Sequence, residues 1–66
     1  MFNQCIYTIL LHSGRYMTIK EIVNEINVVF IGVYVTYHQV YKTLEKHPYL
    51  YDKIIINRHC HKYGLV

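Results

Sequence analysis

The first apolar residues of the chain recur with the period of an amphipathic helix, at spacings of three and four. The residues that share the predicted face are Phe2, Cys5, Ile6, Ile9 and Leu10. His12-Ser13-Gly14 follows as a polar stop, and glycine is common just beyond the C-terminus of a helix. The pattern predicts a first helix over residues 2–12.

A second amphipathic pattern follows a short segment, residues 15–17, that is expected to be extended. Thr18 and Glu21 have the spacing of a capping box, in which each side chain accepts a hydrogen bond from the other residue's backbone. The apolar stripe after them consists of Ile19, Ile22, Val23, Ile26, Val29, Phe30 and Val33. A second helix over residues 18–31 is predicted. Residues 28–35 are largely β-branched and could equally form a buried strand, although Gly32 favours a helix end followed by a tight turn.

The capping pattern is repeated by Thr36 and Gln39, and the stripe that follows them is expected to face the core. Its members are Tyr37, Val40, Tyr41 and Leu44. His47-Pro48 ends the pattern, because proline cannot continue a helix. A third helix over residues 36–47 is predicted.

The C-terminal part of the chain has the composition of a β-hairpin. Residues 50–57 and 60–66 are rich in Tyr, Ile and Val, and Asn57-Arg58-His59 separates them as a turn. The short strand near residues 15–17 is expected to pair with this hairpin, which would explain an extended stretch between two helices. The order of helix, short strand, helix, helix and hairpin predicts an α+β fold.

The order of the elements and the spacing of the apolar residues resemble those of the winged-helix superfamily of DNA-binding domains over nearly the whole chain. The residues that carry the resemblance are Ile9-Leu10-Leu11, Gly14, Met17-Thr18-Ile19-Lys20-Glu21-Ile22, Gly32-Val33, Thr36 and Val40-Tyr41-Lys42-Thr43-Leu44-Glu45. The resemblance implies one domain over residues 1–66, with helix 3 in the major groove of double-stranded DNA and the hairpin, or wing, on the DNA backbone. Two departures matter. The segment from Ile26 to Val40 is longer than usual, which affects the entry angle of helix 3, and the hairpin lacks the two prolines and the Trp of the subclass that recognises left-handed nucleic acid.

Composition and charge agree with a small folded domain that has an anionic partner. Of the 66 residues, 53% are hydrophobic and 17% are charged, which argues against a disordered chain. Without a disulfide, a bound metal or a partner subunit, a core of this size rarely contributes more than about 3–5 kcal/mol to the stability of the fold. A homodimer is therefore an expected source of further stability. The net charge of +3 permits binding to DNA. Alanine is absent, and frequent Ile, Tyr and Asn favour an AT-rich source such as a virus or plasmid.

The cysteines and the apolar stretches indicate a cytoplasmic protein. Cys5 and Cys60 allow one bridge but no disulfide framework, so both are expected to be reduced. The apolar N-terminal stretch has no preceding positive charge and no small-residue cleavage site, and is therefore expected to be a core helix rather than a signal peptide. The longest uncharged stretch, residues 26–41, is shorter than the roughly 20 apolar residues that span a bilayer. No membrane partner is expected.

The candidate DNA contacts lie on helix 3 and the hairpin. Gln39 can pair with adenine in the major groove, and Lys42 can reach phosphate or guanine. Arg58 at the hairpin tip can lie on the backbone or enter the minor groove. The full candidate set is Thr36, His38, Gln39, Lys42, Thr43, Lys46, Lys53, Arg58, His59 and Lys62.

Several alternatives remain open for these features. The outer face of helix 3 can be an ordinary solvated face, and the hairpin charges can serve to prevent edge-to-edge pairing. The eight tyrosines could stack on single-stranded bases, although core packing is favoured for the two on helix 3. A winged-helix protein-interaction module that docks through the apolar residues 28–35 is the alternative function.

Catalytic and metal chemistry have less support. Nucleophilic catalysis needs a Cys or Ser beside an oriented base, whereas Cys5 lies in an apolar stripe and Asp52 is the only Asp. His59 and His61 could share a zinc ion only with a third ligand such as Cys5, because adjacent strand residues point to opposite faces. We therefore expect a regulator of transcription or replication that has no enzymatic activity, metal or cofactor.

Overall fold

Three helices and a small antiparallel sheet enclose the hydrophobic core. Residues 2–66, which the computed structural model describes, form α1 (Phe2–Ser13), β1 (Met17–Thr18), α2 (Ile19–Val29), α3 (Tyr37–Lys46), β2 (Tyr51–Asn57) and β3 (Cys60–Leu65). The predicted α+β class, the three helices and the C-terminal hairpin are confirmed. The ends of the elements differ from the predicted ends by at most two residues.

Both predicted capping boxes are present, and they fix where α2 and α3 begin. The backbone N–H of Glu21 donates to Thr18 Oγ1 at 3.1 Å, and the N–H of Thr18 donates to Glu21 Oε1 at 2.9 Å. Thr36 and Gln39 make the equivalent pair at 3.2 and 2.9 Å. Each threonine has an extended backbone and lies just outside its helix, which is why both helices begin one residue later than predicted.

The connection between α2 and α3 is a helix end followed by a tight turn. The helix ends at Val29, two residues before the predicted end, because Phe30 has an extended backbone with φ −100° and ψ 94°. Gly32 has φ +83°, a conformation that favours glycine, and the N–H of Val33 donates to the Phe30 carbonyl at 3.0 Å. The alternative of a buried strand over residues 28–35 is wrong.

The sheet has the strand order β1-β3-β2, so the short first strand pairs with the hairpin as predicted. The pairing is centred slightly later than expected, with Met17 opposite Tyr63. In the hairpin, Tyr51 lies opposite Leu65, and a register shift between Ile55 and Asn57 precedes the turn. The strand β2 is therefore at the outer edge of the sheet, and the hairpin tip extends beyond the core.

Tyr16 packs on Gly64 at the outer face of the sheet. A Cβ atom at Gly64 would lie 2.9 Å from a carbon of the Tyr16 ring, so the ring packs directly on the glycine backbone. The Tyr16 hydroxyl reaches across β3 and donates to Asp52 Oδ2 at 2.6 Å. One side chain thereby ties the segment before β1 to both strands of the hairpin.

The buried side chains come from all three helices and from the inner face of the sheet. They are Cys5, Ile6, Ile9, Leu10, Met17, Ile19, Ile22, Ile26, Val35, Val40, Leu44, Tyr51 and Tyr63. The prediction that Ile22, Val40 and Leu44 are core residues is confirmed, since none is more than 2% exposed.

The prediction that Tyr37 and Tyr41 face the core is wrong. The two side chains are 61% and 42% exposed. Only Val40 and Leu44 of α3 are buried, and the tyrosines lie at the edge of that stripe, on the flank that faces the hairpin.

Two buried tyrosines make the fold sensitive to alkaline pH. Burial raises the pKa of Tyr51 to about 12, and its hydroxyl donates to the side chain of Asn3. Burial, together with a 2.9 Å hydrogen bond to the Glu45 carboxylate, raises the pKa of Tyr63 well above its ordinary value. In the unfolded chain both hydroxyls ionise near pH 10, so the native state holds these protons more tightly.

The free energy of unfolding should therefore be unaffected by these tyrosines below about pH 10 and should fall as the pH rises from about 10 to about 12. The urea midpoint, measured across that range, tests this expectation. The substitution Tyr63→Phe should reduce the fall, because it removes one of the two ionising groups. A midpoint that stays constant up to about pH 12 in the native sequence would contradict the assignment.

Candidate nucleic-acid interface

The outward face of α3 presents three basic or titratable side chains. His38, Lys42 and Lys46 are all exposed and lie opposite the buried pair Val40 and Leu44. The prediction that these three residues lie on the solvent face of the third helix is therefore confirmed.

Three other predicted contact residues are engaged within α3 itself. Thr36 is the N-cap, and its hydroxyl accepts a hydrogen bond from the backbone of Gln39. The Gln39 Oε1 atom in turn accepts from the Thr36 N–H, which leaves the amide NH₂ group as the free half of that side chain. The Thr43 hydroxyl donates to the Gln39 carbonyl at 2.8 Å. A two-point contact between Gln39 and adenine would therefore use the NH₂ group and the second lone pair of Oε1.

Lys53 is held by α3 rather than presented to solvent as an isolated charge. Its Nζ atom lies 3.5 Å from Glu45 Oε2 and 5.9 Å from the centre of the Tyr63 ring. The same carboxylate oxygen accepts from the Tyr63 hydroxyl. Glu45 thus joins α3 to both strands of the hairpin and compensates the charge of Lys53, which makes Lys53 the least available of the predicted cations.

The remaining predicted contact residues of the hairpin lie on different surfaces. Arg58 and His59 form the exposed turn, where the His59 N–H donates to Asn57 Oδ1 at 2.9 Å. Lys62 is partly buried and adjoins Tyr63 in β3, so it projects from the opposite face of the sheet. The structure brings Arg58 and His59 towards α3 and does not bring Lys62 there.

A cleft of 380 Å³ lies between α3, the start of α2 and the hairpin tip. Tyr37 and Tyr41 line it from α3, and Lys20 lines it from α2. Arg58 and His61 are among the lining residues of the hairpin. No carboxylate of the described residues 2–66 lines the cleft, so its charge is positive or neutral throughout.

Of the ten residues that line the cleft, eight were absent from the candidate set, among them Lys20, Tyr37, Tyr41 and His61. The two tyrosines were assigned to the core because they flank its stripe at helical spacing. Lys20 follows the capping box of α2, and nothing in its local pattern distinguishes it from a solvated lysine. The alternation of side chains in β3 places His61 on the same face as Tyr63, and that signal could have placed it near α3.

Ion pairing leaves most cations of the chain without a carboxylate partner. The chain has seven Lys and Arg residues. Within residues 2–66 two of them form ion pairs, Arg15 with Glu21 and Lys53 with Glu45, each at 3.5 Å. The five others are Lys20, Lys42, Lys46, Arg58 and Lys62.

We call Lys20, Lys42, Lys46 and Arg58 the basic face. Tyr41 connects its members, because this side chain borders both the cleft with Lys20 and Arg58 and a shallow groove with Lys42 and Lys46. Glu45 also lines that groove, and its carboxylate is paired with Lys53. The four cations therefore lie along one continuous surface.

The residues considered for zinc binding lie in different places. Cys5 is a free thiol buried in the core, whereas His59 and His61 line the cleft. Cys60 is also a free thiol. No three metal-ligating side chains come together anywhere in the described part of the chain.

None of the helices in residues 2–66 is long and apolar enough to cross a membrane.

The connection between α2 and α3 exposes large apolar side chains. Ile31 is 96% exposed and Tyr34 is 82% exposed, and Val28 and Val29 are also exposed. Val35 at the end of the segment is buried in the core. The segment around residues 28–34 is therefore an apolar surface at the C-terminal end of α2, formed by different residues from the basic face.

No family model, curated protein or solved structure matches this chain significantly. What the molecule binds has to be inferred from its own residues.

Proposed function

We propose that this protein is a double-stranded DNA-binding regulator of transcription or replication. In this proposal α3 enters the major groove and the β2–β3 hairpin lies on the DNA backbone, as in the winged-helix domains that the sequence resembles. The observation that carries the proposal is the basic face. It joins the outward side of α3 to the hairpin tip: no carboxylate lines the cleft, and Glu45, which lines the adjoining groove, is paired with Lys53.

The chemistry of the basic face fits the parts of a duplex that it would meet. Lys42 and Lys46 are exposed near the middle and the end of α3, where they can reach phosphates or guanine edges. Arg58 at the hairpin tip can form a bidentate contact with one phosphate. Such contacts give affinity and orientation, whereas base selection needs contacts to base edges.

Titration of a labelled mixed-sequence duplex at several salt concentrations tests the proposal. Each phosphate neutralised lowers the slope of log K against log salt by about 0.9, so contacts from all members of the basic face correspond to a slope of about −3 to −4. A chain that binds no duplex, or binds with no salt dependence, would contradict the proposal.

Gln39 is the residue of α3 with the best chemistry for reading a base, and it also holds the helix cap. We expect Gln39→Ala to relax discrimination at one base pair by about 1–3 kcal/mol and to lower the stability of the domain as well. Gln39→Glu is the matched variant, because glutamate preserves the capping acceptor and loses the amide donor. It should lose the same discrimination while keeping the stability.

The measurements are the dissociation constants for a panel of duplexes with single base-pair changes, together with urea unfolding of each variant. Identical selectivity of the native protein and both variants over the whole panel would remove Gln39 from base reading.

A second candidate function is protein docking through the α2–α3 connection, with a second copy of this chain as the partner. The exposure of Val28, Ile31 and Tyr34 favours it, because apolar clusters of this kind often mark interaction sites. A chain with so small a core would also gain stability from self-association. Light scattering tests it: a dimer that dissociates on Ile31→Ser supports this function, and a native protein that is monomeric at high concentration excludes it.

A further inference from the structure

The cleft beside α3 has a chemistry that contacts with the grooves of a duplex do not use. Tyr37 and Tyr41 are more exposed than an aromatic ring in a hydrophobic core would be, and both line the cleft. Neither is among the hydrogen-bonded side chains of the described residues, in contrast to Tyr51 and Tyr63. Because both side chains are exposed and line the cleft, a planar partner can reach their rings.

The remaining lining residues supply positive charge and hydrogen-bond donors. Lys20 lies at the first turn of α2, and Arg58 lies opposite it at the hairpin tip. His61 lies in β3 on the same side of the sheet as Tyr63. The described residues place no carboxylate in this cleft, so a cationic ligand would find no partner there. A ligand with a flat aromatic part and a negative part would find partners for both.

A nucleotide has both parts, but only an unpaired nucleotide can use them. In an intact duplex both faces of every internal base are covered by neighbouring bases, so a tyrosine ring has no face to stack on. A base in a single-stranded tail exposes its face, and stacking on aromatic side chains tolerates any base. The adjoining phosphate can then bind Lys20 or Arg58.

We propose that this cleft binds one unpaired nucleotide of single-stranded DNA next to a duplex, so that the protein prefers duplexes with a single-stranded tail over blunt ones. This inference rests on the proposed function, because the duplex part of the ligand contacts the outward face of α3. The base stacks on Tyr37 or Tyr41, and its phosphate contacts the cations of the cleft.

Fluorescence anisotropy with two labelled DNAs tests the proposal: a blunt duplex and the same duplex with a short single-stranded tail. The native protein should bind the tailed duplex about tenfold more tightly, the effect expected from one stacked base. The double variant Tyr37→Leu, Tyr41→Leu should lose this preference and bind both DNAs with equal affinity. The variant Tyr37→Phe, Tyr41→Phe keeps both rings and should retain the preference.

The control is Tyr34→Leu, which removes an exposed tyrosine outside the cleft and should leave the preference unchanged. A free mononucleotide, added as competitor, should weaken binding of the tailed duplex and not of the blunt one. Equal affinity of the native protein for both DNAs would overturn this proposal and leave the proposed function intact. Binding to neither DNA would overturn both.

Discussion

Leu44→Ala is expected to lower the free energy of unfolding by about 2–5 kcal/mol, the range observed when a buried leucine is truncated in a close-packed core. Leu44 is one of only two side chains of α3 that are buried, and it is 2% exposed. Because a core of this size contributes only about 3–5 kcal/mol in total, the variant should lose a large part of its stability. Since α3 would lose its attachment, DNA binding should be lost with the fold.

Urea unfolding followed by far-ultraviolet circular dichroism measures the effect. Leu11→Ala is the matched control, because Leu11 is in α1 and is exposed. The same atoms are removed there, and the stability should change by less than about 0.5 kcal/mol. Equal midpoints for Leu44→Ala and the native chain would show that α3 does not pack as described.

Removing Lys42 and Arg58 together is expected to weaken binding to every duplex by about 10- to 100-fold at physiological salt, because two charge-assisted phosphate contacts are lost. The slope of log K against log salt should become shallower by about two units. The ratio of affinities for different sequences should stay the same, because phosphate contacts carry no base information. Both side chains are exposed, so the fold should be retained.

The matched control for this double variant removes the same number of positive charges elsewhere. Arg15 is paired with Glu21, and Lys62 projects from the opposite face of the sheet, so Arg15→Ala with Lys62→Ala changes the net charge equally without touching the basic face. If the control weakens binding as much as the double variant does, the attraction comes from net charge alone, and the basic face has no special role.

The helices and the sheet were predictable because their signals are local. Thr18 with Glu21 and Thr36 with Gln39 each form a reciprocal capping pair over three residues, and the helices begin where those pairs require. Gly32 likewise ends the apolar run in a turn, because glycine readily adopts the positive φ that this turn requires. Burial of Val40 follows from the helical period in the same way.

The candidate site was predicted less well because its geometry depends on contacts between distant elements. Tyr37 and Tyr41 share the period of the core stripe, yet they line the cleft between α3 and the hairpin and stay exposed. Lys53 has the sequence context of a free lysine, yet Glu45, eight positions earlier on another element, compensates its charge. The cleft itself combines three elements, and no pattern along the chain indicates how close they come.

DNA binding through α3 and the hairpin tip, and not through the α2–α3 connection, is the basis of the proposed function. Amide chemical-shift mapping by NMR during titration with a blunt duplex tests it most directly. We expect the largest shift changes in residues 36–46 and 57–61, with residues 28–35 unchanged. Changes confined to residues 28–35, or no change at any duplex concentration, would contradict it.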